Sequence, residues 1–315
     1  MRPFPGEQER TLEVARNLEG LFNVADSLHG FWLTHPKGYW IHKSMLHPLA
    51  AHVAAILDIQ ASRLFRSAIT ECERCQAYSA NIIARSLFET VLAMRFVLAR
   101  KRLRIAVDQA TTRGGKPKVD ATGNPIYHSK LAGSSTPKGL MRYLSRQKRA
   151  ELFLANACFQ DERSSQKLTS LPRMKRKVQK LAPQAGALAA SYEKAIGPEW
   201  TSILRSSHTY SGLNVETLSK LIGKPFQRCY EVIYHFQSIN VHAGDPFRHL
   251  RISEGQKLCP AYLSSDGEVR QALTPAITMF FIAINTLQQS VGYGPDVDIA
   301  YASMKRRYKA QFASQ

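Results

Sequence analysis

Residues 77–98 read AYSANIIARSLFETVLAMRFVL, and their apolar pattern decides the fold class. At about 100° per residue, Ile82, Ile83, Leu87, Phe88, Val91, Leu92, Met94, Phe96 and Val97 point in nearly every direction. A helix that is apolar all round is packed by other helices. One polar stripe crosses it, with Tyr78, Asn81, Arg85 and Glu89 stepping by three and four residues. Arginine and glutamate enter a dry interior only with partners. Arginine ahead of glutamate is the weaker order for a surface pair. The stripe is therefore expected to line a cleft or to pair inside the core.

Working outward, residues 7–34 predict a helix, with Leu12, Ala15, Leu18, Leu21, Phe22 and Ala25 at spacings of three and four. Further helices are predicted over 44–69 and 71–104. Gly, Pro, Ser and Thr then mark 111–136 as a surface loop. Basic helical pieces follow at 138–158 and 172–195. A short helix over 214–223 ends at Gly223, and a longer one over 225–242 carries Pro225 in its first turn. Asp266-Gly267 suggests a small hairpin within 257–272. An apolar helix over 275–291 and a basic tail helix complete the chain. No internal repeat is read. The expected fold is all-α, a multi-helix bundle with a small C-terminal β-hairpin before the last long helix. A helical core of 1–104 and 196–295 would carry a basic insertion at 105–195 and a basic tail helix at 296–315.

Composition narrows the function. The 315 residues are 44 % hydrophobic and 21 % charged, as in globular chains. The longest apolar run, AITMFFIAI at 276–284, is too short to span a bilayer. The N-terminal MRPFPGEQER lacks the apolar region of a secretory signal, and five cysteines show no framework spacing. A cytoplasmic protein without membrane contact is expected. The net charge of +19 is concentrated: residues 100–180 hold 20 Lys and Arg against 5 Asp and Glu. Such a block fits nucleic acid or another polyanion. Within it Arg173, Lys175, Arg176, Lys177 and Lys180 are the candidate phosphate contacts.

The stretch YEVIYHFQSINVHAGDPF, residues 230–247, holds the candidate chemistry. On a helix Arg228, Glu231, His235, Ser238 and His242 share one face, with Tyr234 at its border. Two histidines, a serine and a tyrosine are poorer helix formers than the Lys and Glu usual on a solvent face. The following Gly244-Asp245-Pro246 puts His242 near a helix C-terminus, which favours its charged form.

The helix holding Arg85, Ser86, Leu87 and Glu89, the segment with Val215, Glu216 and Leu218, and the helix end with Tyr234, Ser238 and His242 together resemble a bacterial domain family of unknown function. The similarity spans about 75–245. It implies a helical domain, implies no known reaction, and suggests that the Arg85/Glu89 stripe meets Ser238 and His242. Arg228 and His235, with six residues between them, resemble the Arg-x4–6-His signature of HEPN ribonucleases. That resemblance would make His235 or His242 a general acid–base and Arg85 or Arg228 a phosphate stabiliser.

Other motifs fall away. CERC at 72–75 lacks a second ligand pair for zinc, RGGKPK lacks the spacing of a phosphate loop, and no metal or cofactor is expected. Three functions stay open: a nucleic-acid-binding protein with a polar cleft, a HEPN-like ribonuclease, and a non-catalytic module for an acidic protein partner. A homo-oligomer is compatible with each.

Overall fold

A computed structural model of the chain describes residues 7–34, 48–169, 175–207, 209–235, 250–252, 258–260, 263–291 and 295–313. The chain is mainly α-helical and divides into two compact units.

The first unit takes 1–45, 54–95 and 225–315. The helix expected over 7–34 is two, α1 (Glu7–Asn17) and α2 (Glu19–Thr34), parted by one turn residue, Leu18. Its buried stripe is Val14, Leu18, Leu21, Ala25 and Leu28, whereas Leu12 is exposed. Helices α3 (Pro48–Glu73) and α4 (Ala77–Leu98) contribute the apolar centre. Phe65 of α3 stacks on Phe280 with ring centroids 4.3 Å apart.

Phe280 lies on the long helix Asp266–Val291, which corrects the hairpin expected within 257–272. Asp266-Gly267 is its first turn. The Ser265 hydroxyl accepts from the Glu268 N–H at 3.3 Å, and the Glu268 carboxylate accepts from the Ser265 N–H at 2.6 Å. This is a capping box, which satisfies helix-end donors reciprocally. The antiparallel pair that precedes this helix instead joins Leu250–Ile252 to Leu258–Pro260. The tail helix Pro295–Ala313 buries Tyr301 and Met304 and stacks Tyr308 on Phe281.

The second unit takes 46–53 and 96–224. The third helix was expected to reach 104, but it ends at Leu98, and Leu103–Gln109 forms strand β1. β-branched Ile105 and Val107 suit the pleated, half-buried surface. β1 lies between β2 (Tyr127–Leu131) and β3 (Met141–Leu144), antiparallel to both. An all-α reading missed this sheet. Helices α5 (Arg146–Thr169), α6 (Lys175–Ile196) and α7 (Pro198–Ser206) pack on one another. α8 (Val215–Ile222) starts at Asn214, whose side chain accepts from the Thr217 N–H at 2.8 Å, and ends at Gly223 as expected.

Of the stretch 111–136 expected as loop, Tyr127–Leu131 is strand β2, and residues 110–125 hold a repeat. Thr112 to Pro117 and Asp120 to Pro125 each form a closed turn with Gly at the fourth position and Pro at the sixth. Thr112 N–H donates to the Lys116 carbonyl, and Asp120 N–H to that of Asn124, both at 2.8 Å. Gly115 (φ 76°) and Gly123 (φ 86°) take the left-handed conformation that glycine adopts without cost. The Lys118 N–H donates to Ala110, Ile126 to Lys118, and Ala110 to Ile126, closing a ring of three backbone bonds. The result is a two-turn finger at the end of the β1–β2 hairpin.

Candidate functional site

Arg85 and Glu89 are paired on α4, with Arg85 Nε 3.5 Å from Glu89 Oε1. The expectation that the pair is buried is corrected. The Glu89 side chain keeps 45 % of its exposure, and Tyr78 is also exposed. The apolar residues that cover α4 sit beside the stripe, so the helix is buried on its other sides.

Arg228 is exposed at the end of α9 (Lys224–Cys229), where Gln227 Nε2 donates to Glu231 at 3.2 Å. The chain then leaves α geometry for a π-helical turn, Tyr230–His235. Looser i→i+5 winding changes the angular step over Tyr230–His235, so the spacing calculated for an α-helix does not apply within that turn. The side chains of Tyr234 and His235 lie outside the described residues, as do Ser238, His242 and Arg173 entirely. Lys175, Arg176, Lys177 and Lys180 stand on α6, with their side chains likewise outside.

The basic segment resolves into two populations. One points inward, onto the ends of helices. Arg149 is 1 % exposed, and its guanidinium donates to the carbonyls of Ala99 (2.5 Å), Leu144 (2.8 Å), Val97 and Lys101 (both 3.2 Å). These close the C-terminus of α4, where the helix dipole is negative. Burial pulls the Arg149 pKa down to about 10. Arg146 adds a bond to the Ala99 carbonyl at 3.3 Å. Lys148 donates to the Ile196 carbonyl at the end of α6 (3.2 Å), and Arg163 to the Leu204 carbonyl near the end of α7 (3.0 Å). Arg142 pairs with Glu199 at 2.6 Å, which raises its pKa.

The other population faces water. Along β1, Ile105 and Val107 lie on one face and Arg104 and Asp108 on the other. Register sets Tyr143 of β3 opposite Arg104 and His128 of β2 opposite Asp108. Arg104, His128, Lys130 and Tyr143 are all exposed, and Lys130 also pairs with Asp108. The finger adds exposed Arg113, Lys116 and Lys118. An open antiparallel sheet with an aromatic ring among cations is an arrangement that suits stacked bases and phosphates. Period-two alternation in LRIAVDQ and YHSKL was the signal that could have located it.

Among the described residues, no group of three or more His, Cys, Asp or Glu could hold a metal ion, and no helix is long and apolar enough to cross a membrane. Cys72 and Cys75 are buried.

No curated protein and no solved structure matches the chain. A model described as "Family of unknown function (DUF5677)" matches residues 51–257, which include most of α3, all of α4 and nearly the whole second unit. By that match over most of its length, the chain belongs to the family of unknown function DUF5677.

Proposed function

We propose that this protein binds single-stranded nucleic acid through the outward face of the β2-β1-β3 sheet. The observation that carries the reading is the exposed Arg104–Tyr143 cross-strand pair, on the face that further along β1 also carries exposed Lys130 and His128. Tyr143 supplies a ring on which any base stacks, and Arg104 a cation for the neighbouring phosphate. Arg113, Lys116 and Lys118 on the finger extend the track, and Lys175, Arg176, Lys177 and Lys180 of α6, together with the nearby basic residue Arg173, add further phosphate contacts. In this reading residues 105–195 are the binding insertion on a helical core.

A labelled single-stranded RNA and its DNA counterpart, followed by fluorescence anisotropy at low salt, test this. Tyr143→Ala should weaken binding by the worth of one stacked base, about 1–3 kcal/mol or roughly 5- to 150-fold. Unchanged affinity in Tyr143→Ala and in Arg104→Ala would overturn the sheet as the interface.

One observation favours a second reading, HEPN-like cleavage of the bound strand. The chain turns π-helical between Arg228 and His235, and such turns recur at functional sites. Arg85, Glu89, Ser238 and His242 would complete that site. Loss of cleavage with retained binding in His242→Ala or His235→Ala is the result that supports it.

A further inference from the structure

The second unit holds a cavity of about 860 Å³ whose charge runs against that of the molecule. One wall is the second turn of the finger, from Asp120 to Tyr127, and the other is α7 with the end of α6. Its lining has two carboxylates, Asp120 and Glu193, and one guanidinium, Arg205. Arg205 is already engaged: its Nε donates to Glu193 at 2.5 Å, and its Nη2 lies 3.1 Å from Glu162. It has no charge to offer an anion.

Asp120 is different. Its Oδ1 accepts from the Thr122 N–H (2.8 Å), the Thr122 hydroxyl (2.7 Å) and the Asn124 N–H (2.9 Å). Three bonds to one oxygen fix the carboxylate and leave Oδ2 for a donor from outside. The same bonds, that of the Thr122 hydroxyl foremost, hold its pKa below the ordinary carboxylate range. Thr201 on the opposite wall has a buried hydroxyl without a hydrogen bond, an omission that folded proteins rarely tolerate. Ile126 and Tyr127 give the cavity an apolar side.

We propose that this cavity is a binding site for a small organic cation, an amine or amidinium carried on an apolar or aromatic body. The N–H groups of the cation go to Asp120 Oδ2 and the Glu193 carboxylate, and the body lies against Tyr127 and Ile126. A mostly apolar pocket with a few fixed polar groups is the usual form of a small-molecule site. The proposal goes beyond the sheet reading and uses none of the side chains assigned there to bases or phosphates.

Calorimetric titration of the full chain with tyramine and with benzamidine tests it, with benzoate as the anionic control. Both cations should bind saturably and benzoate should not. Asp120→Asn keeps the Oδ1 acceptor and so keeps the turn, but should weaken cation binding about tenfold or more. Glu193→Gln should also weaken cation binding, while Glu162 continues to hold Arg205. No heat with either cation, equal binding of benzoate, or unchanged affinity in Asp120→Asn would overturn the proposal.

Discussion

Arg149 and Glu89 show how far context decides what a charge does. Arg149 is buried against four carbonyls around the end of α4 and has no carboxylate partner among those bonds. Arg149→Ala leaves those carbonyls without donors in a dry place. Hydrogen bonds to charged groups are worth about 1.5–3 kcal/mol net, so the loss should reach about 3 kcal/mol or more in urea denaturation. Arg149→Lys should recover little, because an ammonium cannot reach carbonyls spread around a planar fork. Glu89 sits at the other extreme. Its i,i+4 pair with half-buried Arg85 is worth about 0.3–0.5 kcal/mol, and Glu89→Ala should cost little more. The thiol of Cys72 gives a third residue-scale case. Burial pushes its pKa up to about 12 from an ordinary 9.0. In the native protein it should resist iodoacetamide at pH 8, where exposed thiols react. The pH dependence follows in sign: between about pH 9 and 12 the unfolded chain gives up this proton and the folded chain keeps it, so stability falls as pH rises.

At the scale of elements, glycines separate a turn that merely bends from one that also packs. Gly115 takes φ 76° in open space, so Gly115→Ala should cost only the left-handed strain, about 1–2 kcal/mol. Gly212 takes φ 70° with Ile203 of α7 and Ser129 of β2 against the place where a Cβ would stand. Gly212→Ala adds a clash to the same strain. It should destabilise more than Gly115→Ala by about 1–3 kcal/mol, read as a lower thermal midpoint. The same distinction explains what was legible in the residues beforehand. The helices with a long apolar pattern, α3, α4 and Asp266–Val291, were readable from periodicity. So was α8, from Asn214 and Gly223. The sheet was not, because β1 continues the apolar run of α4 with only four residues between, and its strands are four to seven residues long. Asp266-Gly267 misled for the reverse reason. The dipeptide is a strong turn signal, and it was outweighed by Ser265 and Glu268, whose capping-box spacing was there to be read. Of the candidate site, the basic segment was legible as charge and not as geometry, since the inward role of Arg146, Lys148, Arg149 and Arg163 depends on where helices end.

For the whole molecule, the decisive division is between cations that hold the second unit together and cations that face water. Arg142, Arg146, Lys148, Arg149 and Arg163 are committed to carbonyls or to Glu199, while Arg104, Arg113, Lys116 and Lys118 are exposed. Net charge alone counts both groups, and only the second can neutralise phosphates. Replacing these four exposed residues by alanine should leave folding intact, since none is buried. The most direct test is the slope of log affinity against log salt for a single-stranded RNA. Each phosphate neutralised on a single strand contributes about 0.7 to that slope. The account predicts steep salt dependence for the unmodified protein and a slope smaller by about 3 in the four-residue variant. An unchanged slope, or no binding by the unmodified protein at low salt, would contradict it.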